Sequence, residues 1–123
     1  MSPGAFAFRR EPADDPHARV WLLDRGGEVL GGCRTRPATD DDADLGPRAA
    51  EVLDLAVVPG VVGRGLGARL LGQAVNDLLV RGRAPIFVWV DEAAADLVGF
   101  YARHGFRPDG TVRGDRARLV RRA

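Results

Sequence analysis

A strand, a turn carrying four glycines and an amphipathic helix follow one another between Val52 and Leu71, and few folds accept that succession. The strand, Val52–Val58, is rich in apolar and β-branched residues and stops at Pro59, which has no N–H to continue a ladder. Glycine then recurs at positions 60, 63, 65 and 67. Without a Cβ, such a turn adopts backbone angles closed to other residues and lets a ligand approach the main chain. The helix begins near Leu66. The N–H groups of a first helical turn have no partner in their own helix and lie at the positive end of its dipole. Strand, glycine turn and helix start together predict an anion site, and so a phosphate-bearing ligand.

Hydrophobic periodicity extends the reading in both directions. Leu66, Leu70, Leu71, Ala74, Val75, Leu78 and Leu79 keep one helical face apolar, and Gly82 is placed to stop the helix. Pro85 leads into Ile86–Val90, an almost unbroken apolar run that suits a strand covered on both faces. Asp91 is placed to cap a second helix, Glu92–His104, with Leu97, Val98, Phe100 and Tyr101 inward and Gly105 at its end. Upstream, Arg19–Asp24 and Val29–Arg36 form a hairpin about Arg25-Gly26-Gly27-Glu28, preceded by a short strand at Ala5–Arg9. Pro37–Pro47 reads as a loop carrying Asp40, Asp41, Asp42 and Asp44. Downstream, Phe106–Asp109 and Ala117–Arg122 are short strands about a turn at Gly114. The order predicts one α/β domain, residues 1–123, with a mixed sheet.

Composition narrows the function classes. At 46% hydrophobic and 28% charged the chain is neither disordered nor membrane-like. A net charge of +1 provides no field for nucleic acid, and no apolar run has the length of a membrane span. A basic-then-apolar leader is lacking, so a cytoplasmic location is expected. All 18 basic residues are arginine, which reads as coding bias. The lone Cys33 excludes an internal disulfide and any multi-cysteine metal site; it reads as a small buried strand residue, and no metal is expected.

Several ligands compete for the glycine turn. Gly63-x-Gly65-x-x-Ala68 formally satisfies a dinucleotide fingerprint, with Asp91 as the ribose acid. That fingerprint belongs near the start of a longer alternating β/α sheet, whereas here antiparallel strands come first and few residues follow. A nucleotide P-loop needs Gly-Lys-Ser/Thr, and the chain has no lysine. A plain tight turn explains two glycines better than four, since each weakens a helix start.

Val57-Val58-Pro59-x-x-x-Gly63-Arg64-Gly65-Leu66-Gly67-x-x-Leu70-Leu71, followed by a strand and Phe100-Tyr101-x-x-x-Gly105-Phe106, resembles the GNAT superfamily of acyl-CoA-dependent N-acyltransferases over roughly Trp21 to Arg122. The resemblance implies a GNAT-like mixed, mostly antiparallel sheet flanked by helices, with an abbreviated N-terminal region. It implies that backbone N–H groups at Val62, Gly63, Arg64, Gly65, Leu66 and Gly67 hold the pyrophosphate of acetyl-CoA, helped by Ala68 and Arg69 at the helix start. Val57 and Val58 then pair with the pantetheine arm. Tyr101 matches a tyrosine that protonates the departing thiolate, and Glu51 stands where some members place a general base. The implied activity is transfer of an acetyl group from acetyl-CoA to a primary amine, of a small molecule or a protein, by direct attack in a ternary complex. The alternative is a non-catalytic acetyl-CoA-binding regulatory module acting on a protein partner. Val62 departs from the family's Arg or Gln, and Ala94 from its asparagine. Only about twenty residues precede Trp21, where the family has a strand and two helices walling the acceptor cleft. That leaves the cleft open, differently built or completed by a partner, and a homodimer is expected.

Each residue also has a plainer role. Tyr101 lies on an apolar helix face as a core tyrosine would, and Glu51 begins a strand as an edge residue would, with water or Asp54 as competing bases. Regular alternation sends Glu51 and Asp54 to opposite faces. Arg64 and Arg69 either neutralise phosphates or are solvated. The aspartates at 40–44 are a solvated loop, or attract a cationic acceptor. His104 is read as a cation favoured at a helix C-terminus, Trp21 and Trp89 as core. Arg113, Arg116, Arg118, Arg121 and Arg122 are read as a polar strand face.

Overall fold

The computed structural model describes residues 6–13, 15–61 and 65–122. Its strands are β1 (Phe6–Glu11), β2 (Arg19–Arg25), β3 (Glu28–Pro37), β4 (Ala50–Val57), β5 (Ile86–Asp91), β6 (Arg107–Arg113) and β7 (Arg116–Arg121). They form one sheet in the order β1-β2-β3-β4-β5-β7-β6. The β4–β5 pair is parallel, while β1–β2, β2–β3, β5–β7 and β6–β7 are antiparallel. Two helices join the strands, α1 (Leu66–Val80) and α2 (Ala95–Ala102). The mixed, mostly antiparallel α/β architecture is the one expected.

Turn chemistry accounts for the joints. Gly26 and Gly27 have φ of 61° and 90°, the two positive values of a type I′ hairpin, and the Gly27 N–H donates to Asp24 Oδ1 at 2.9 Å. Both helices end in the same way. Gly82 (φ 76°) and Gly105 (φ 87°) take the left-handed conformation, while the N–H groups of Arg83 and Phe106 reach back to the carbonyls of Leu78 and Tyr101 at 2.9 and 3.1 Å. These are Schellman endings, as the two glycines predict.

The chain divides into two compact units. The first joins the described residues up to Arg36 with Leu53–Asp77. Its core is Leu23, Leu30 and Cys33 of the strands with Leu66, Leu70, Leu71, Ala74 and Val75 of α1. Arg19 donates to Asp77 of the helix at 2.8 Å. The second joins Pro37–Val52 with Leu78 onward, and buries Ala49, Ala50, Val52, Ile86, Phe87, Val88, Val90, Tyr101, Phe106, Leu119 and Val120.

Two expectations change here. The second helix is shorter than Glu92–His104, because Asp91 does not cap it. Its Oδ1 accepts from the Ala93 N–H at 2.9 Å and its carbonyl from Ala94, which makes a local turn that delays the helix to Ala95. The loop before β4 contains a 3-10 segment, Asp40–Leu45.

Candidate active site

In the first unit, β4 ends at Val57 and the Val58 N–H donates to Leu30 O at 2.8 Å. Pro59–Val61 makes a 3-10 turn. Val62, Gly63 and Arg64, three of the residues singled out for pyrophosphate, lie outside the described residues. Gly65 has φ 72° and its carbonyl accepts from the Arg69 N–H at 3.1 Å, so it serves as the N-cap residue of α1. Its positive φ, rather than crowding, disfavours other residues: a Cβ built at Gly65 or Gly60 would meet nothing within 4 Å. Leu66, Gly67 and Ala68 follow Gly65 in the first turn of α1, where N–H groups have no partner within the helix. Leu66 is buried and anchors the helix start. Arg69 is exposed, with its guanidinium over the Phe8 ring, 5.4 Å from the centroid.

The turn is aligned by close packing behind it. A Cβ on Gly31 of β3 would stand 2.7 Å from Ala56 O and 3.2 Å from Val57 Cγ2. Glycine there sets how near β3 comes to the end of β4.

In the second unit, Glu51 lies on β4 in register with Phe87 of β5 and is 7% exposed, far from the edge position of its plainer reading. Asp54 is exposed and ion-paired with Arg34 at 2.7 Å. Tyr101 is buried on α2, edge-on to Phe100 and Phe106 with ring centroids 5.3 Å away from each. The parallel ladder of β4 and β5 covers three pairs, Ala50↔Ile86 to Val52↔Val88, while β5 continues with β7 to Asp91↔Arg116.

A buried ionic cluster was not read from the sequence. Arg118 of β7 is 2% exposed and gives Nε to Asp109 at 2.8 Å, Nη1 to Asp42 and Asp44 at 3.1 and 2.9 Å, and Nη2 to Asp44 and Thr111 at 2.6 and 3.2 Å. Asp109 and Thr111 reach it because the β6–β7 register shifts between Pro108 and Val112, which re-aims the strand. Arg113 donates to Asp41 O at 3.0 Å, and its guanidinium lies 4.3 Å from the Trp89 ring centroid. Asp44 is held below the ordinary carboxylate range, chiefly by the Arg118 hydrogen bond. For Asp109, burial works upward, but bonds from Arg118 and Thr111 prevail and lower it. Arg118 itself is pushed higher still.

This cluster corrects the two readings that touched it. The cation met by Asp42 and Asp44 is the chain's own, and β7 is no solvated polar face at Arg118. Trp21 and Trp89 are half-buried rather than fully core. His104 stacks tilted on Phe100 at 5.0 Å and is shifted down by burial, then by Arg103, so it is not the cation expected at the helix end. Burial, with Asp54 adding, pushes the Cys33 thiol up to about 12, so it stays protonated, as a buried strand cysteine should. Among the described residues no three His, Cys, Asp or Glu side chains are grouped to hold a metal ion, and no helix is long and apolar enough to cross a membrane.

A sequence model described as the acetyltransferase (GNAT) family matches residues 2–106. The chain is 30% identical over 118 residues to streptothricin acetyltransferase of Streptomyces lavendulae, across 82% of this chain and 62% of that protein. It is 34% identical over 108 residues to mycothiol acetyltransferase of Parafrankia sp. (strain EAN1pec), across 79% and 33%. The chain thus spans less than two-thirds of the length of either. A solved GNAT family acetyltransferase from Elizabethkingia anophelis, with acetyl-CoA bound, shares the fold at a TM-score of 0.78 and 11% identity, over 96% of this chain and 98% of that one.

Proposed function

The chain belongs to the acetyltransferase (GNAT) family, and from that premise we propose that it acts as one domain, an N-acetyltransferase moving an acetyl group from acetyl-CoA to a primary amine. The observation that carries the reading is the junction of β4 and α1. Gly65 takes a positive φ with open space at its Cβ position and stands at a helix start, an arrangement that suits a pyrophosphate held by main-chain N–H groups. Val62–Gly67, with Ala68 and Arg69 beyond, hold the coenzyme in this reading, and Val57 pairs with its pantetheine arm while Val58, whose N–H is bonded to Leu30 O, flanks it. The bound acetyl-CoA supplies an activated acyl carbon on a thiol leaving group.

The chain's own residues manage protons. An ammonium acceptor must lose a proton before its nitrogen can bond to the acyl carbon, and Glu51 is the proposed base. As the carbon–sulfur bond breaks, the Tyr101 hydroxyl donates a proton to the sulfur. Proton transfers of this kind are each worth about 10²–10⁴-fold in rate. The small-molecule or protein nature of the acceptor, homodimeric assembly and a cytoplasmic location belong to the same proposal.

Thermal shift and thiol release test it together. CoA and acetyl-CoA should stabilise the protein and NAD should not; stabilisation by NAD alone overturns the reading. Over a panel of amines, Tyr101→Phe should keep folding and CoA affinity while turnover falls by roughly 10²-fold. Glu51→Gln should slow the reaction mainly at or below neutral pH and recover partly as pH rises. Wild-type turnover by Tyr101→Phe would make Tyr101 a core residue only. Binding of acetyl-CoA without turnover on any amine would favour the regulatory module.

A further inference from the structure

The first unit holds two adjoining cavities, of about 300 and about 450 Å³, both bordered by Pro12, Ala13, Asp15 and Ala18 of the connection between β1 and β2. The smaller is completed by Val20 of β2, Arg34 and Arg36 of β3 and Leu53 of β4. Side chains two apart on a strand leave by the same face, and the register sets Val20 opposite Arg34. Both guanidinium groups therefore share one face with Val20, while Cys33 and Thr35 are fully buried on the other.

Two arginines beside Val20, Leu53 and Pro12 suit a small ligand with an oxyanion on a short apolar body. A guanidinium offers N–H groups in a fork that matches carboxylate or phosphate oxygens. Arg36 has an interaction within the chain and Arg34 meets Asp54, the Arg34 and Asp54 side chains both being about half exposed. Such pairs are worth under about 1 kcal/mol and exchange readily for a ligand.

The place of the cavity on β4 gives it a use, one that rests on the acetyltransferase reading. Leu53 lies four residues before Val57, roughly 13 Å at about 3.3 Å per residue. A pantetheine arm that leaves the turn and runs along Val58 and Val57 points back toward Leu53. We propose that the cavity is the acceptor subsite, and that Arg34 and Arg36 recognise an oxyanion carried by the same small molecule that presents the primary amine.

Matched acceptors test this: amino acids against the amines left by their decarboxylation, and aminoalkyl phosphates against the corresponding amino alcohols. The wild type should favour the oxyanion-bearing member by about tenfold or more in kcat/KM, about 1.4 kcal/mol. The two pairs tell carboxylate from phosphate. Arg34→Gln with Arg36→Gln should bring that ratio close to unity, through KM, with acetyl-CoA affinity measured alongside. Equal use of both members by the wild type overturns the inference while leaving acetyl transfer intact. So does a double variant that loses its preference for CoA over dephospho-CoA, since the arginines then serve the coenzyme's phosphate. If no amine is acetylated at all, the acetyltransferase reading fails, and backbone amide shifts on titration with the amino acids and phosphates judge the cavity alone. Shifts centred on Val20, Arg34 and Leu53 support an oxyanion site; none at millimolar ligand overturns it.

Discussion

The turn after β4 offers main-chain groups with open space where two glycine side chains would stand, whereas around Arg118 five side-chain hydrogen bonds from one guanidinium reach four partners. The first arrangement is written in about ten consecutive residues and needs no side-chain charge to attract an anion. The second draws Asp42 and Arg118 together from 76 residues apart and consists of nothing but charge and its satisfaction. A main-chain site tolerates changes in side-chain chemistry but not in backbone conformation. A buried ionic cluster depends on the identity of its side chains, and is intolerant of losing one member.

Substitutions at the two places should separate these behaviours. The largest effect is expected from Arg118→Met. It strands a buried Asp42 beside Asp44 and Asp109, and removing one partner of a buried ionic group costs about 3–5 kcal/mol. Urea unfolding should register that loss, and the midpoint of thermal unfolding should drop by roughly 10 °C or more. Arg116→Met on the same strand, exposed, should stay within about 0.5 kcal/mol of wild type. If the two variants are alike, the cluster is ornamental.

Gly65→Asp tests the other side. It places a side chain and a negative charge at the helix start, and costs about 1–2 kcal/mol at positive φ. Folding should survive, and the stabilisation by CoA in thermal shift should disappear. Retained CoA binding would mean that the anion is held elsewhere.

Acid should produce the smallest effect, and the part that belongs to the cluster can be separated. A carboxylate lowered on folding stabilises fully above its unfolded value, about 3.9 for Asp, and loses that contribution as pH falls through the lowered folded value. Asp44 and Asp109 are both of this kind. His104, shifted down, also costs stability as pH falls through about 6.5. Because His104 is common to wild type and Arg118→Met, the difference between their melting curves isolates the carboxylates. That difference should be largest near pH 7, narrow as acid neutralises the carboxylates the variant leaves without their cation, and be mostly gone below pH 4.

What could be read in advance follows the same division. Helical periodicity from Leu66 to Leu79, the stops at Gly82 and Gly105 and the Gly26-Gly27 hairpin are local signals, and each gave its element within a few residues. Asp91 misled because its side chain can serve either a helix cap or a turn two residues on, and only the local backbone decides. The Arg118 cluster was hidden because its partners come from a 3-10 segment and a register shift, neither of which leaves a periodic trace. One hint existed. Strand alternation puts Arg118 on the face of buried Val120, and a cation there needs anions, which the aspartates at 40–44 were free to supply. The roles of Glu51 and Tyr101 rested on family resemblance, since burial alone fits a core residue as well as a catalytic one.

The approach of β3 to β4 at Gly31 has a genetic consequence. Every missense codon at that position adds a Cβ, and the Ala56 carbonyl 2.7 Å away leaves no room for one. A selection for inactive alleles should therefore return residue 31 with any amino acid in it, conservative replacements included. Mapped without the structure, such a hot spot would pass for a ligand contact. It is a spacing constraint between two strands, and the lesion it reports is a displaced Val57.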